Sequence, residues 1–241
     1  MAEQELIKHA EEAIKILGNK KISFWHKLKD FVLEIAVIVF AISLSIWFHN
    51  WSEYRNEQKT VKTFLLGLKV DLKSDIIFAK DALHNYQYFG KIYTYLSGLD
   101  KNKTPDKDSL KMALTDIRYK IFLEAHTSRF NGFLSAGKIM TIENDSLAQD
   151  ILNYYQDILP NLKISENWWH STNESLQTYL SNNIKDFDDN MDEFHVLATS
   201  RGKHITKSLI PSQQLLFYYQ AVIDKGNNII TTINKLYPNN K

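Results

Sequence analysis

The sequence has no cysteine, only four prolines and eight glycines in 241 residues, and no excess of either charge. The missing thiol excludes disulfides, thiolate catalysis and cysteine-ligated zinc, and it suits an oxidising or a reducing compartment equally. So few helix breakers, beside twelve tyrosines and five tryptophans, predict long helices with few tight turns. A net charge of +1 supplies no overall field to recruit nucleic acid or acidic substrates. No stretch repeats at a fixed period and none is low in complexity. The length holds one sizeable domain, or a small domain plus accessories.

What stands out is FVLEIAVIVFAISLSIWFHNW, residues 31–51. Of the 18 residues from Phe31 to Phe48, Glu34 is the only charge, and Ser43 and Ser45 are the only other polar side chains. A soluble helix alternates faces, yet Ile35 to Ile42 is apolar all round. Eighteen residues rise about 27 Å, slightly short of a hydrocarbon layer of roughly 30 Å. Trp25 on one side and Trp47 and Trp51 on the other supply interfacial anchors at a suitable separation. A membrane helix over 31–51 is expected, with a buried core helix as its competitor. A cleaved signal peptide fits less well, because its leading segment would be shorter and bulky Ile46, Trp47 and Phe48 follow the small residues.

Flanking positives set the orientation. Lys15, Lys20, Lys21, Lys27 and Lys29 precede the span, and Arg55, Lys59 and Lys62 follow it. The excess on the leading side places the N-terminus in the cytoplasm and the rest outside. Glu34 sits about one turn from the cytoplasmic end and has two readings. It snorkels or enters protonated, or it makes a polar contact with a partner helix.

Residues 1–30 carry an amphipathic helix with Leu6, Ala10, Ala13, Ile14 and Leu17 on one face, stopped at Gly18 and Asn19. It lies on the membrane or docks on a partner, and its four glutamates weaken the first reading. Beyond the span, Val61, Leu65, Leu68, Leu72, Ile76, Ala79 and Leu83 recur every 3.67 residues or so, which predicts a bundle helix ending near Gly98. DKNKTPDKDS (100–109) reads as a loop and Ser109 to Leu123 as a short helix. Gly137 reads as a helix end and Asp145 as the next N-cap. Pro160 is expected to kink or break the helix that follows. Residues 186–209 read as irregular, and Pro211 and Ser212 open a last helix. No stretch alternates convincingly at period two. The expected fold is all-α: one transmembrane helix continuing into an antiparallel bundle over 52–241.

LEIAVIVFAISLSIWFHNWSEYRNEQKTVKTFLLGLKVDLKSDI (33–76) resembles the start of a Bacteroidota family of single-pass inner-membrane proteins with a periplasmic helical domain of unknown function. In that family a Gly-Glu pair opens the span and an Asn-Asn-Trp-Asn-Glu-like motif closes it. Here Leu33 replaces the glycine, and His49, Asn50, Trp51, Ser52 and Glu53 stand at the closing motif. Ser135, Gly137, Lys138, Asp145, Leu147, Tyr154 and Tyr155 resemble the family's later turn and its Asp-x-Leu helix ending in a tyrosine pair. The resemblance implies an inner-membrane anchor and a periplasmic domain. The family has no established activity, so no catalytic residue carries over.

Chemistry is sparse. Ser135/Lys138 and Ser200/Lys203 match Ser-x-x-Lys, without the companion motifs of penicillin-binding enzymes. Asp186, Asp188 and Asn190 imitate the start of a calcium loop, but Met191 and Leu197 occupy its glycine and glutamate positions. Eight histidines are scattered, and no glycine-rich phosphate loop occurs. No enzyme activity, metal or cofactor is expected. Tyr154, Tyr155, Trp168 and Trp169 form either an aromatic ligand pocket or plain core.

Two functions follow. One is a membrane-anchored interaction protein, an accessory or scaffold subunit whose partners are the bilayer and a membrane protein or a second copy. The other is a periplasmic sensor or small-ligand-binding bundle that signals through a partner.

Overall fold

The computed structural model describes residues 2–117, 120–185 and 190–238, and ahead of residue 31 it describes side chains only at Trp25, Leu28 and Lys29. The described residues are predominantly helical with no strand, so the fold is all-α. Helix α1 spans Ala2–Ser97. The chain divides into two compact units, Met1–Lys59 and Thr60–Lys241.

The second unit encloses a core of its own. Along α1 the buried stripe reads Val61, Leu65, Leu68, Leu72, Ile76, Ala79, Ala82, Tyr86, Phe89, Tyr93 and Leu96. Ten steps over 35 residues average 3.5, the period that keeps one seam facing its neighbours along the helix. The expected stripe fails at Leu83, which is only half-buried, because Ala82 takes its place as the seam drifts.

Helices α2 (Lys107–Asp116), α3 (Ser128–Ser135), α4 (Asp145–Asn153), α5 (Leu159–Asn183), α6 (Asn190–Leu197), α7 (Ser200–Ser208) and α8 (Gln213–Leu236) complete the unit. Hydrogen bonds and ring contacts fix the directions. Tyr86 meets both Trp169 and Tyr219, while Lys69 bonds Asn234 and Tyr93 bonds Asn173. Helices α1 and α5 therefore run the same way, and α8 runs antiparallel to both.

Five local expectations change. The stop expected at Gly18 and Asn19 does not occur, because α1 runs unbroken from Ala2 to Ser97. The helix expected to reach Leu123 ends at Asp116, and residues 120–127 form no helix. The N-cap of α4 is Asn144, which accepts from the Leu147 amide at 2.9 Å, and Asp145 is the first helical residue. Pro160 does not break its helix. Its ring cannot tolerate the carbonyl four residues back, and a single π turn over Tyr154–Ile158 absorbs the clash, with the Leu159 N–H reaching the Tyr154 carbonyl. The segment read as irregular, 186–209, contains α6 and α7, which bury Phe194, Val196, Leu197 and Thr206. A β-carbon on Gly202 would stand 2.6 Å from the carbonyl oxygens of Val196 and Leu197, so the tight α6–α7 corner requires glycine. Gly137 closes α3 as expected, with φ of 68°. Ser212 caps α8 through the Leu215 amide, also as expected.

Candidate functional site

Two places in the molecule carry something beyond a folded core. The first is the apolar stretch of α1. Every side chain from Phe31 to Tyr54 is exposed, and an 18-residue apolar window of mean hydropathy 2.5 has no buried residue. Glu34, Ala41 and Ser45 are separated by seven and four residues and share one helix face. Ser43, nine residues from Glu34, lies on the opposite one. The Ser45 hydroxyl donates to the Ala41 carbonyl at 2.9 Å, which satisfies it within its own helix. Trp47 stacks on Trp51 with ring centroids 6.4 Å apart, and the Arg55 guanidinium sits 4.9 Å over Trp51. Trp25 is also exposed, and the 22 residues from it to Trp47 rise about 33 Å.

The second place is the non-helical segment 120–127, which straps the bundle. The Tyr86 hydroxyl donates to the Ile121 carbonyl at 3.0 Å, and the Asp75 carboxylate accepts from His126. Eleven helical residues separate Tyr86 from Asp75, a rise of about 16 Å. Five residues of strap cover that distance only at close to 3.3 Å each, the rise of a β-strand. The strap is therefore extended and antiparallel to α1. It supplies the downward leg between two helices, α1 and α5, that run the same way. Its side chains alternate: Lys120, Phe122, Glu124 and His126 are exposed, whereas Ile121, Leu123 and Ala125 turn inward.

A single extended strand laid on helices has no ladder partner, so buried side chains must satisfy its backbone. They do so at several points. His170 Nε2 donates to the Ile121 carbonyl at 2.8 Å. Glu166 Oε1 accepts from the Leu123 amide at 2.9 Å and from the Tyr219 hydroxyl at 2.5 Å. Asp75 accepts from the His126 amide at 3.2 Å and from its Nδ1 at 2.6 Å, and the Tyr155 hydroxyl reaches the His126 carbonyl at 3.3 Å. Ahead of the strap, Asn173 and Gln177 hold the carbonyl of Ile117, the C-cap of α2.

Burial raises the pKa of both Glu166 and Asp75 from their ordinary values, although hydrogen bonds oppose the shift. Burial pushes His170 down, consistent with a neutral ring whose Nδ1 is sealed away without a partner. None of Asp75, Glu166, His170 and Asn173 is singled out from sequence. They fall on otherwise apolar stripes, where a polar letter at a core position is the only available signal.

Alongside the strap lies a cleft of about 580 Å³, walled by α1 residues from Ser74 to Asn85 and by strap residues Lys120 to Glu124 and His126. Of the four aromatics read as either a ligand pocket or plain core, three are buried in the core and Trp168 is not. Trp169 is buried against Tyr86, Phe89 and Tyr93, with its indole N–H on the Leu209 carbonyl at 2.9 Å. Tyr154 and Tyr155 are buried in the π turn, where Tyr155 stacks on Phe130. Trp168 is 54% exposed, since neighbouring helical residues point about 100° apart. None of the four lines the cleft beside the strap.

Ser135 and Lys138 flank the α3 turn, and Ser200 and Lys203 sit in the first turn of α7. Asp186 and Asp188 of the calcium-like pattern lie outside the described residues. Among the described residues no cluster of three His, Asp or Glu side chains is disposed to hold a metal. Comparison with known proteins gives no match: no family model, curated protein or solved structure is similar to the chain.

Proposed function

We propose that this chain is a membrane-anchored interaction protein, an accessory or scaffold subunit of a larger envelope complex. Residues 31–51 cross the inner membrane, the N-terminus is cytoplasmic and the helical domain lies in the periplasm. One observation carries the reading. The most apolar stretch of the chain is wholly exposed, while the unit beginning at Thr60 fills its core without it. Apolar surface on that scale is not left to water in a soluble protein, and a bilayer is the solvent that matches it. The tryptophans at both ends and the surplus of lysines ahead of the span support the orientation. The family resemblance at the juxtamembrane motif points the same way.

The test has two parts. A reporter active only in the periplasm, fused after Lys241, is expected to be active, and silence would overturn the topology. Detergent purification of the tagged protein, followed by mass spectrometry, is expected to recover the same membrane partner repeatedly. Recovery of the chain alone, as a monomer, would remove the interaction role.

A further inference from the structure

We propose that the cleft between α1 and the 120–127 strap is a docking groove for an extended peptide, which pairs with the free edge of the strap as a second strand. The inference rests on the interaction-protein reading and gives that role a place on the periplasmic domain.

The strap is one strand without a sheet. Side chains from below hold the backbone of Ile121, Leu123 and His126. By contrast, the N–H and C=O groups of Phe122 and Glu124 have no hydrogen-bond partner among the described residues. Residues two apart in an extended strand direct these groups to the same edge. Phe122 and Glu124 therefore offer two donors and two acceptors in strand register, on an edge that Asp75 and Tyr155 close at His126. An unpaired strand edge of this kind is a template for another chain.

The cleft also selects its occupant by charge. Lys120 is engaged by Glu174 at 3.1 Å and His126 by Asp75 at 2.6 Å. Asp81 and Glu124 rise from opposite walls with no ion pair among the described residues. Among the described residues the uncommitted charge lining the cleft is thus negative, and exposed Phe78 provides an apolar face beside it, while Phe122 stacks on His170 with the Lys163 ammonium 5.1 Å over its ring. A peptide alternating basic and apolar side chains complements this lining, with backbone bonds supplying affinity and alternate side chains supplying preference.

The probe is a fluorescein-labelled peptide, Thr-Val-Lys-Val-Thr-Val-Lys, titrated by fluorescence polarisation against the full chain in detergent micelles. Two isomers carry N-methyl groups on alternate amides, one set for each strand edge. The parent is expected to bind saturably. One isomer should match it, and the other should bind at least about tenfold more weakly, having lost the paired N–H groups. A double variant, Asp81→Asn with Glu124→Gln, is expected to weaken the parent about threefold or more at low salt.

Absence of saturable binding up to about 1 mM would overturn the proposal. Equal behaviour of the two isomers, or equally tight binding of spermidine, would also overturn it, because side chains or charge alone would then explain the affinity. If the peptides fail while the purified protein still retains a partner, the groove falls and the interaction role stands.

Discussion

The Asp75 carboxylate takes both hydrogen bonds of His126, the ring Nδ1 at 2.6 Å and the backbone N–H at 3.2 Å, and so pins the lower end of the strap to α1. Asp75 is buried, while His126 is half-exposed at the rim of the cleft. The hydrogen bond that His126 donates to the Asp75 carboxylate, reinforced by its charge, raises the imidazole pKa above its ordinary 6.5.

That shift gives stability a pH dependence with a definite sign. A histidine whose folded pKa is raised contributes fully below its unfolded value. The contribution fades as pH climbs through the raised folded value. Thermal unfolding of wild type and His126→Ala should therefore differ most near pH 6 and converge towards pH 9. A gap that widens with pH would contradict the ion-pair description. His170 has the opposite sign. Its pKa is depressed by burial, so its contribution is present above about pH 6.5 and lost as pH falls through the lower folded value. A His170→Gln variant should lose its deficit under acid.

Glu166 separates the need for an acceptor from the need for a charge. Its Oε1 holds the Leu123 amide and the Tyr219 hydroxyl inside the core. Glu166→Ala leaves both donors unpaired, and the loss should be about 2–4 kcal/mol. Glu166→Gln keeps a carbonyl oxygen in place and removes a buried charge, so its cost should stay within about 1 kcal/mol. Thermal melts in detergent distinguish the two. A glutamine variant as damaged as the alanine one would mean that the strap needs the anion.

Much of the fold could be read from the letters, and the failures have physical causes. The seam of α1, the Gly137 turn and the Ser212 cap follow from local chemistry that tertiary contacts do not override. The strap was missed because IFL (121–123) looks like the tail of a helical pattern. Exposed Phe122 also hides the alternation that Lys120, Glu124 and His126 would otherwise reveal. Helices α6 and α7 were missed because their polar letters dominate, although Phe194, Leu197 and Thr206 reach the core. Asp75, Glu166, His170 and Asn173 escaped notice because their roles depend on a backbone segment far away in sequence. A buried polar residue at a seam position identifies such a segment only after the fold is known.

Two glycines make opposite predictions for the same substitution. In Gly202→Ala the new methyl would meet backbone oxygens at 2.6 Å that no rotamer change can move aside. A loss of about 1–3 kcal/mol is expected. In Gly132→Ala the methyl meets nothing within 4 Å on an exposed helical position. There the gain in helix propensity should stabilise the domain by roughly 0.5–1 kcal/mol. Melting temperatures moving in opposite directions would support this account of the α6–α7 corner, and a neutral Gly202→Ala would refute it.

Glu34 tests the span itself. It shares a face with Ala41 and Ser45, small residues that let another helix approach closely, and Ser43 lies across the helix from them. If the carboxyl only snorkels to the headgroups, Glu34→Leu leaves everything unchanged, because the substitution makes the span more apolar. If it bonds a partner helix, Glu34→Leu keeps the protein in the membrane after an alkaline wash, while the partner seen with wild type is lost on purification. Loss on this face and retention with Ser43→Leu is the expected outcome. Partner recovery that survives Glu34→Leu would assign Glu34 to snorkelling and move the contact to the periplasmic domain.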